Sequence, residues 1–444
     1  MQSEPSGIDI LKTCAGNKKY SGMKTIAEGK HRMLRFPFTL GQTLKLKATA
    51  TVAVAVLASA LSTGSAFADA KFRQWVASFR PVAINAGVSP STFDRAFRGV
   101  DAPDPVVLEK ARYQPEFTEP VWNYIDNRVN EDSTGVGQNM ARKWGPWLQR
   151  IEQRFSVDRN ILLAIWSMES NYGEILKRDD VMRDAVRSLA TLAYADPKRA
   201  KYGRTQLIAA MKILQTGDID RGHLSGSWAG ALGHTQFIPT SYQAYAVDMD
   251  GNGKRDIWNS IPDALGTAAN LLHRNGWQPG RTWGYEVVLP AGGKFPSGSL
   301  SVAEWQKRGV VRANGRAFPD PSEKVTLKVP DGRQGPAFLM TKNFFVIKRY
   351  NNADKYALAV GLLADRISGY QGLRQDWNRP FTPITMNERQ ELQTHLKALG
   401  YYDGNIDGKI GSTSRKAIEA FQQRNGLQPD GHPSKEVLSV LRRR

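Results

Sequence analysis

The sequence predicts a mainly helical, α+β chain: a helical domain with a small β region, followed by a small three-helix domain at the C-terminus. Three observations carry this. Helical periods recur from Ala70 to about Gly276, and short alternating runs among frequent Gly and Pro follow from about Trp277 to Val346. After a stretch with two prolines, helical patterning then returns over residues 386–444. A length of 444 residues with 41% apolar content suits two or three compact units, at about 100–200 residues per domain, and excludes a wholly disordered chain.

At the N-terminus, Lys45 and Lys47 precede the apolar run Ala48 to Leu61, which leads into Ser65-Ala66-Phe67-Ala68. This reads as a secretory signal with cleavage expected after Ala68. The run is about 14 residues, short of the roughly 20 that a membrane span needs; an uncleaved anchor is the other reading. Residues 1–68 are thus read as an extension plus signal peptide, with Met23 or Met33 as alternative starts, and the mature protein is expected in the periplasm. Residues 69–376 form the main domain. Its helical periods cover Phe72 to Phe79, Val121 to Val129, Trp144 to Phe155, Ile161 to Met168, Ser188 to Tyr194 and Leu207 to Leu214. The runs Tyr285 to Leu289, Lys324 to Val329 and Phe344 to Ile347 read as strands, and Tyr356 to Ile367 as a closing helix. Residues 377–385 read as a linker, and 386–444 as a unit too small for a large core. Leu392, Leu396, Leu399, Ile418, Phe421 and Leu438 have the spacing of its core.

Net charge is +19, with a single cysteine, Cys14. Removing residues 1–68 takes away nine basic and three acidic residues, leaving +13 and no cysteine. Internal disulfides and thiolate zinc sites are therefore excluded, and the basic balance suits an anionic polymer outside the cytoplasm. The six histidines form no His-Glu-x-x-His pair, there is no phosphate-binding Gly-rich loop, and Gly226-Ser227-Trp228-Ala229-Gly230 places its serine one position early for a nucleophile elbow. No organic cofactor is expected.

Four segments carry chemistry. In Asp158 to Gly173, Asp158 is placed to cap a helix and Gly173 to stop it, and Leu162, Ile165 and Trp166 share a face with Glu169. A carboxyl on an apolar face near a helix C-terminus has a raised pKa, as a general acid for glycoside cleavage requires. A boundary glutamate reaching solvent or a basic partner would read the same way. Ser227 to Tyr245 alternates small residues with aromatics and amides, which lets backbone approach a ligand while Ser227 and Gln236 offer hydrogen bonds; a tight helix-packing segment looks alike. Asp248, Asp250 and Asn252 are spaced as in an EF-hand loop, with Lys254 able to ligate through its carbonyl and Asp263 able to supply the last carboxylate. A structural calcium ion is expected there, or sodium at weak affinity; an Asp/Asn/Gly-rich turn without an ion is the alternative. Last comes Arg349-Tyr350-Asn351-Asn352, read as the end of a strand.

Together and in this order, Met168-Glu169-Ser170-Asn171-Tyr172-Gly173, Ser227 to Gly233 with Gln236-Phe237-Ile238-Pro239, Asp248 to Asp263, and Arg349-Tyr350-Asn351 with Tyr356-Ala357 resemble the lytic murein transglycosylase B family over roughly residues 70–378. The resemblance implies a lysozyme-like helical domain that cleaves the β-1,4 bond between N-acetylmuramic acid and N-acetylglucosamine in peptidoglycan glycan strands, leaving a 1,6-anhydro end. It implies Glu169 as acid and then base, with Ser227, Gln236, Tyr350, Asn351 and Tyr356 binding the sugar. His234 and Thr235 stand where family members often carry other residues, and the calcium loop departs in spacing. Leu392, Gly400, Asp407, Gly408, Phe421, Gln422, Asp430 and Gly431 resemble the three-helix peptidoglycan-binding domain. The expected protein is a monomer that binds no nucleic acid and whose cell-wall synthesis or division partners are unknown. A hydrolytic muramidase on the same fold and a non-catalytic wall-binding scaffold are the other readings.

Overall fold

The computed structural model describes residues 70–112, 120–408 and 410–444. The expected signal peptide and extension, residues 1–68, lie outside the described residues. Among those described, no helix is long and apolar enough to cross a membrane.

The main domain is built around α7 (Arg159–Ser170), which buries Ile161 through Trp166 without a break and is therefore enclosed on all sides. It packs against α5 (Glu131–Lys143), α6 (Gly145–Phe155), α11 (Ile261–Arg274) and α14 (Asp354–Ile367). Around this centre lie α1 (70–85), α2 (Pro90–Ala96), α3 (Pro105–Arg112), α4 (Val121–Arg128), α8 (Ala185–Ala195), α9 (Ala200–Thr216) and the short α10 (Pro239–Tyr245). Starts are fixed by side chains that accept otherwise unpaired backbone N–H groups: Asp158 from Asn160, Asp184 from Arg187 and Ser260 from Asp263. One apolar core runs through these helices apart from α3, whose Val107 and Ala111 cluster separately with Leu192 of α8.

Two sheets accompany them. Arg183–Asp184 (β1) pairs antiparallel with Ser225–Gly226 (β2). The β region is a five-stranded antiparallel sheet of β3 (Gly284–Val288), β4 (Ser299–Ser301), β5 (Val311–Arg312), β6 (Lys324–Lys328) and β7 (Ala337–Met340), in the order β4-β6-β7-β3-β5. It shares a second core with α12 (Val302–Gln306), centred on Trp305. The strands expected near 285–289 and 324–329 are there.

The strand expected at Phe344 to Ile347 is not. Those residues belong to helix α13 (Lys342–Tyr350), capped by the Thr341 side chain. Asn343, Val346, Ile347 and Tyr350 are buried at intervals of three, four and seven, a helical period that a short apolar run viewed alone conceals.

The C-terminal unit is α15 (Met386–Ala398), α16 (Ser412–Arg424) and α17 (Lys435–Leu441) around their own core. Leu399, expected in that core, is 43% exposed; it caps the end of α15, where the chain turns away from the helix face. Two Asp-Gly turns are held alike from inside: Gln393 accepts from Gly408 N–H at 2.7 Å and Gln422 from Gly431 N–H at 2.8 Å.

The segment at 377–385 is packed on both sides. Trp377 is buried and lies on Phe338 of β7, and Arg379 pairs with Asp126 of α4 at 2.7 Å. Phe381 meets Trp122 of α4 edge-on at 5.4 Å and stacks on His432 at 4.8 Å. Arg415 of α16 also hydrogen-bonds Asn123.

Candidate active site

Glu169 sits in the last turn of α7, and the reversal of the chain just beyond that helix fixes where its carboxyl lies. Asn171 and Tyr172 are both left-handed, at φ 48° and 56°, and Gly173 comes next at φ 93°. The helix therefore stops at Ser170, short of the glycine expected to end it. A Cβ on Gly173 would fall 2.3 Å from the His234 imidazole, so both the backbone angle and the close approach require glycine. Ser170 Oγ donates to the His234 carbonyl at 2.6 Å and accepts from Gly173 N–H at 3.0 Å, while Trp166 Nε1–H donates to His234 Nδ1 at 3.2 Å. His234 is thus a neutral acceptor, its pKa pushed down to about 4 by burial, with Lys177 adding to the fall and Asp256 opposing it. These contacts latch the end of α7 to the 233–237 turn.

A second latch comes from α13 and α14. Tyr350 Oη–H donates to the Thr235 carbonyl, and its ring meets Phe237 edge-on at 5.3 Å. Tyr356, 3% exposed, lies nearly parallel to Tyr350 and donates its Oη–H to Glu169 Oε1 at 2.6 Å. Burial pushes the Glu169 carboxyl up to about 7, partly opposed by the Tyr356 hydrogen bond. No acidic neighbour contributes to that shift. The site is one carboxyl, held neutral by desolvation and aimed by a tyrosine.

Of the residues singled out in the sequence, Glu169, Tyr356 and Tyr350 come together, and Gln236 is next to the Thr235 carbonyl that Tyr350 grips. Gln236 takes a left-handed backbone at φ 47°, its Nε2–H donates to the Gly233 carbonyl at 2.8 Å, and its Oε1 is left to accept from a ligand. Asn351 is buried at the end of α13, its Oδ1 accepting from Ala353 N–H at 3.2 Å. Ser227 is different: its Oγ accepts from Ala229 and Ala231 N–H and so closes a turn, and no hydrogen bond ties it to Glu169 or the tyrosines. His234 and the Thr235 carbonyl position the site without any chemical motif. The signal for His234 was there as a departure from family pattern; a backbone carbonyl has no sequence signal.

Asp248, Asp250 and Asp263 bring one carboxylate oxygen each within 4.8 Å of one another. Asp263 is fully buried at the start of α11 and accepts from Met249, Asp250 and Asp256 N–H; burial nevertheless raises its pKa. Asp248 accepts from Gly251, Asn252 and Gly253 N–H, and Asn252 Oδ1 from Lys254 N–H at 2.9 Å. Three converging carboxylates, one of them buried, are the hard-oxygen donor set that calcium takes.

The chain has relatives among known proteins. The model of the transglycosylase SLT domain matches residues 71–365, and that of a peptidoglycan binding domain matches 385–441. Membrane-bound lytic murein transglycosylase B of Escherichia coli is 30% identical over 261 residues, covering 57% of this chain and 69% of that protein. The crystal structure of SltB3 from Pseudomonas aeruginosa, in complex with NAG-anhNAM-pentapeptide, is 45% identical with a TM-score of 0.66, covering 84% of this chain and 99% of that one. Soluble lytic transglycosylase SltB1 from Pseudomonas aeruginosa is 26% identical at a TM-score of 0.57, covering 67% and 98%.

Proposed function

Because the chain belongs to the transglycosylase SLT domain family and is a lytic transglycosylase acting on peptidoglycan, we propose that Glu169 is its acid and base. The observation that carries this is the half-buried Glu169 carboxyl, its pKa pushed up to about 7 by desolvation and its Oε1 hydrogen-bonded by Tyr356. Its proton passes to the glycosidic oxygen as the C1–O bond of muramic acid breaks. The carboxylate so formed then takes the proton of the 6-hydroxyl on the same sugar, whose oxygen closes on C1. The product is a 1,6-anhydro end, and no water is consumed. A two-carboxylate retaining mechanism needs a second acid about 5 Å away, which would appear as a charge on Glu169; burial and Tyr356 alone account for its shift. The acetamido oxygen of the substrate supplies the missing nucleophile: it bonds C1 as the glycosidic C1–O bond breaks, and it leaves C1 as the 6-oxygen closes there. Gln236 and Asn351 are proposed to orient that group, a role supported for Gln236 by its unengaged Oε1, and Tyr350 to hold the turn that carries Gln236 through the Thr235 carbonyl. Ser227 acts by shaping the loop.

The test is direct. Sacculi digested with the parent enzyme should yield muropeptides about 18 Da lighter than hydrolysed ones, by loss of one water, and Glu169→Gln should yield none while binding sacculi as before. Reducing ends carrying added water would instead favour a hydrolytic muramidase.

The Asp248 loop is proposed to hold calcium, with Asp248, Asp250 and Asp263 as carboxylate ligands and Asn252 and the Lys254 carbonyl completing the set. The ion would neutralise their mutual repulsion and brace the start of α11. The basic mature chain and the signal-like residues 45–68 support a periplasmic site of action. The C-terminal unit is proposed to hold the enzyme on the wall.

A further inference from the structure

Nine residues separate Tyr356 from Asp365 along α14, which places them on opposite faces of the helix and about 14 Å apart along its axis. On the Asp365 side lies a cleft of about 960 Å³ between α4, the edge of the β3 sheet and the chain at 369–379, a volume that suits an oligopeptide. Its floor is Trp283, 4% exposed, whose ring rests on Gly361; a Cβ there would meet the indole at 2.3 Å. From that seat Trp283 Nε1–H donates to Asp365 Oδ2 at 3.1 Å. Burial pushes the Asp365 carboxyl up to about 7, so it offers a proton rather than a charge.

The rim has the opposite character. Among the described residues, the guanidinium groups of Arg316, Arg366 and Arg374 make no hydrogen bond or ion pair, although all three line the cleft. Two of the acidic groups in the same cleft are already engaged. Asp126 is paired with Arg379, and Glu286 accepts from the backbone N–H groups of Arg374 and Gln375. Among the described residues, Asp376 is the one carboxylate lining the cleft that no hydrogen bond or ion pair engages. A ligand that satisfies this cleft brings carboxylates for the rim and amide groups for the floor. A glycan strand whose lactyl carboxyls are tied up as amides lacks the first, and a bare phosphate lacks the second.

We propose that this cleft binds the carboxylate-bearing peptide arm of peptidoglycan, the rim arginines taking its carboxylates and the Trp283–Asp365 floor its amides. The inference rests on the reading of the chain as a peptidoglycan lytic transglycosylase. It adds a hold on the peptide, across α14 from the carboxyl that cuts the glycan.

The test uses the full chain carrying Glu169→Gln, with a synthetic five-residue stem peptide as probe. Free-carboxylate peptide should bind saturably by calorimetry and shift the Trp283 indole N–H resonance, which Trp283→Phe identifies. Arg366→Ala with Arg374→Ala should weaken binding by about tenfold or more, through loss of charge-assisted hydrogen bonds to the peptide carboxylates; both side chains leave the core untouched, and an unchanged melting curve confirms folding. The fully amidated peptide should weaken binding similarly. No binding to the parent site, undiminished binding to the double variant, or inorganic phosphate alone moving the same indole at equal concentration would overturn the proposal. Anhydro ends from the parent enzyme without peptide binding sink this inference alone, whereas peptide binding without anhydro ends sinks the catalytic reading.

Discussion

A carboxyl that keeps its proton to about pH 7 should be visible in both rate and stability. Turnover should fall as pH rises through about 7, because the acid form is lost. Tyr356 donates to the charged form and so holds the pKa down; Tyr356→Phe should lower turnover and move that alkaline limb upward by on the order of one unit. A limb that stays in place would show that another group sets it. The stability sign runs the other way from a salt-bridged acid. A folded pKa above the unfolded value means that stability is lost as pH rises from about 4.5 through about 7. Glu169→Gln should therefore melt higher than the parent at pH 8 and match it near pH 4, by scanning calorimetry. Glu169 itself was legible because helical spacing set it on an apolar face. Tyr350 and Tyr356 were reached through family likeness, and the Thr235 carbonyl was out of reach, since any residue supplies one.

Elements owe their ends to single residues, and two of these ends decide the site. Gly173 lets α7 reverse against His234; Gly173→Ala puts a methyl into the imidazole at a positive φ. We expect a loss of about 2–4 kcal/mol in stability, comparable to other strained or overpacked positions, and an activity loss larger than thermal unfolding explains, measured at a temperature where the variant is folded. The start of α11 is the second. Asp263→Asn removes one proposed calcium ligand, so the rise in melting temperature on adding calcium should shrink from the parent's several degrees toward zero. No calcium-dependent shift in the parent would remove the ion from the account. The elements most legible in sequence were long amphipathic helices and strands with alternation. Helix α13 was misread because four apolar or aromatic residues in a row fit either period; Asn343 and Tyr350, buried at its ends, show the helical one only in three dimensions.

At the scale of the molecule, the sequence divides the chain where prolines gather, and the structure shows that stretch seated against α4, the sheet and the C-terminal unit. Its prolines were legible, whereas its aromatic contacts were not, because Trp122 and His432 are distant in sequence from Phe381. Phe381→Ala should loosen this junction: Trp122 emission should shift to the red, and the two cores should melt in separate transitions. A single unchanged transition would mean that the other contacts hold the units together without the ring. The seated junction has a mechanical meaning for an enzyme on a polymer. A slack tether lets a catalytic head search a sphere around its anchor, and its local concentration falls away smoothly with distance. A braced strut acts instead as a gauge. It favours the bonds that lie one fixed offset from where the module grips, so the spacing of cuts along the wall would be set by the protein's own dimensions.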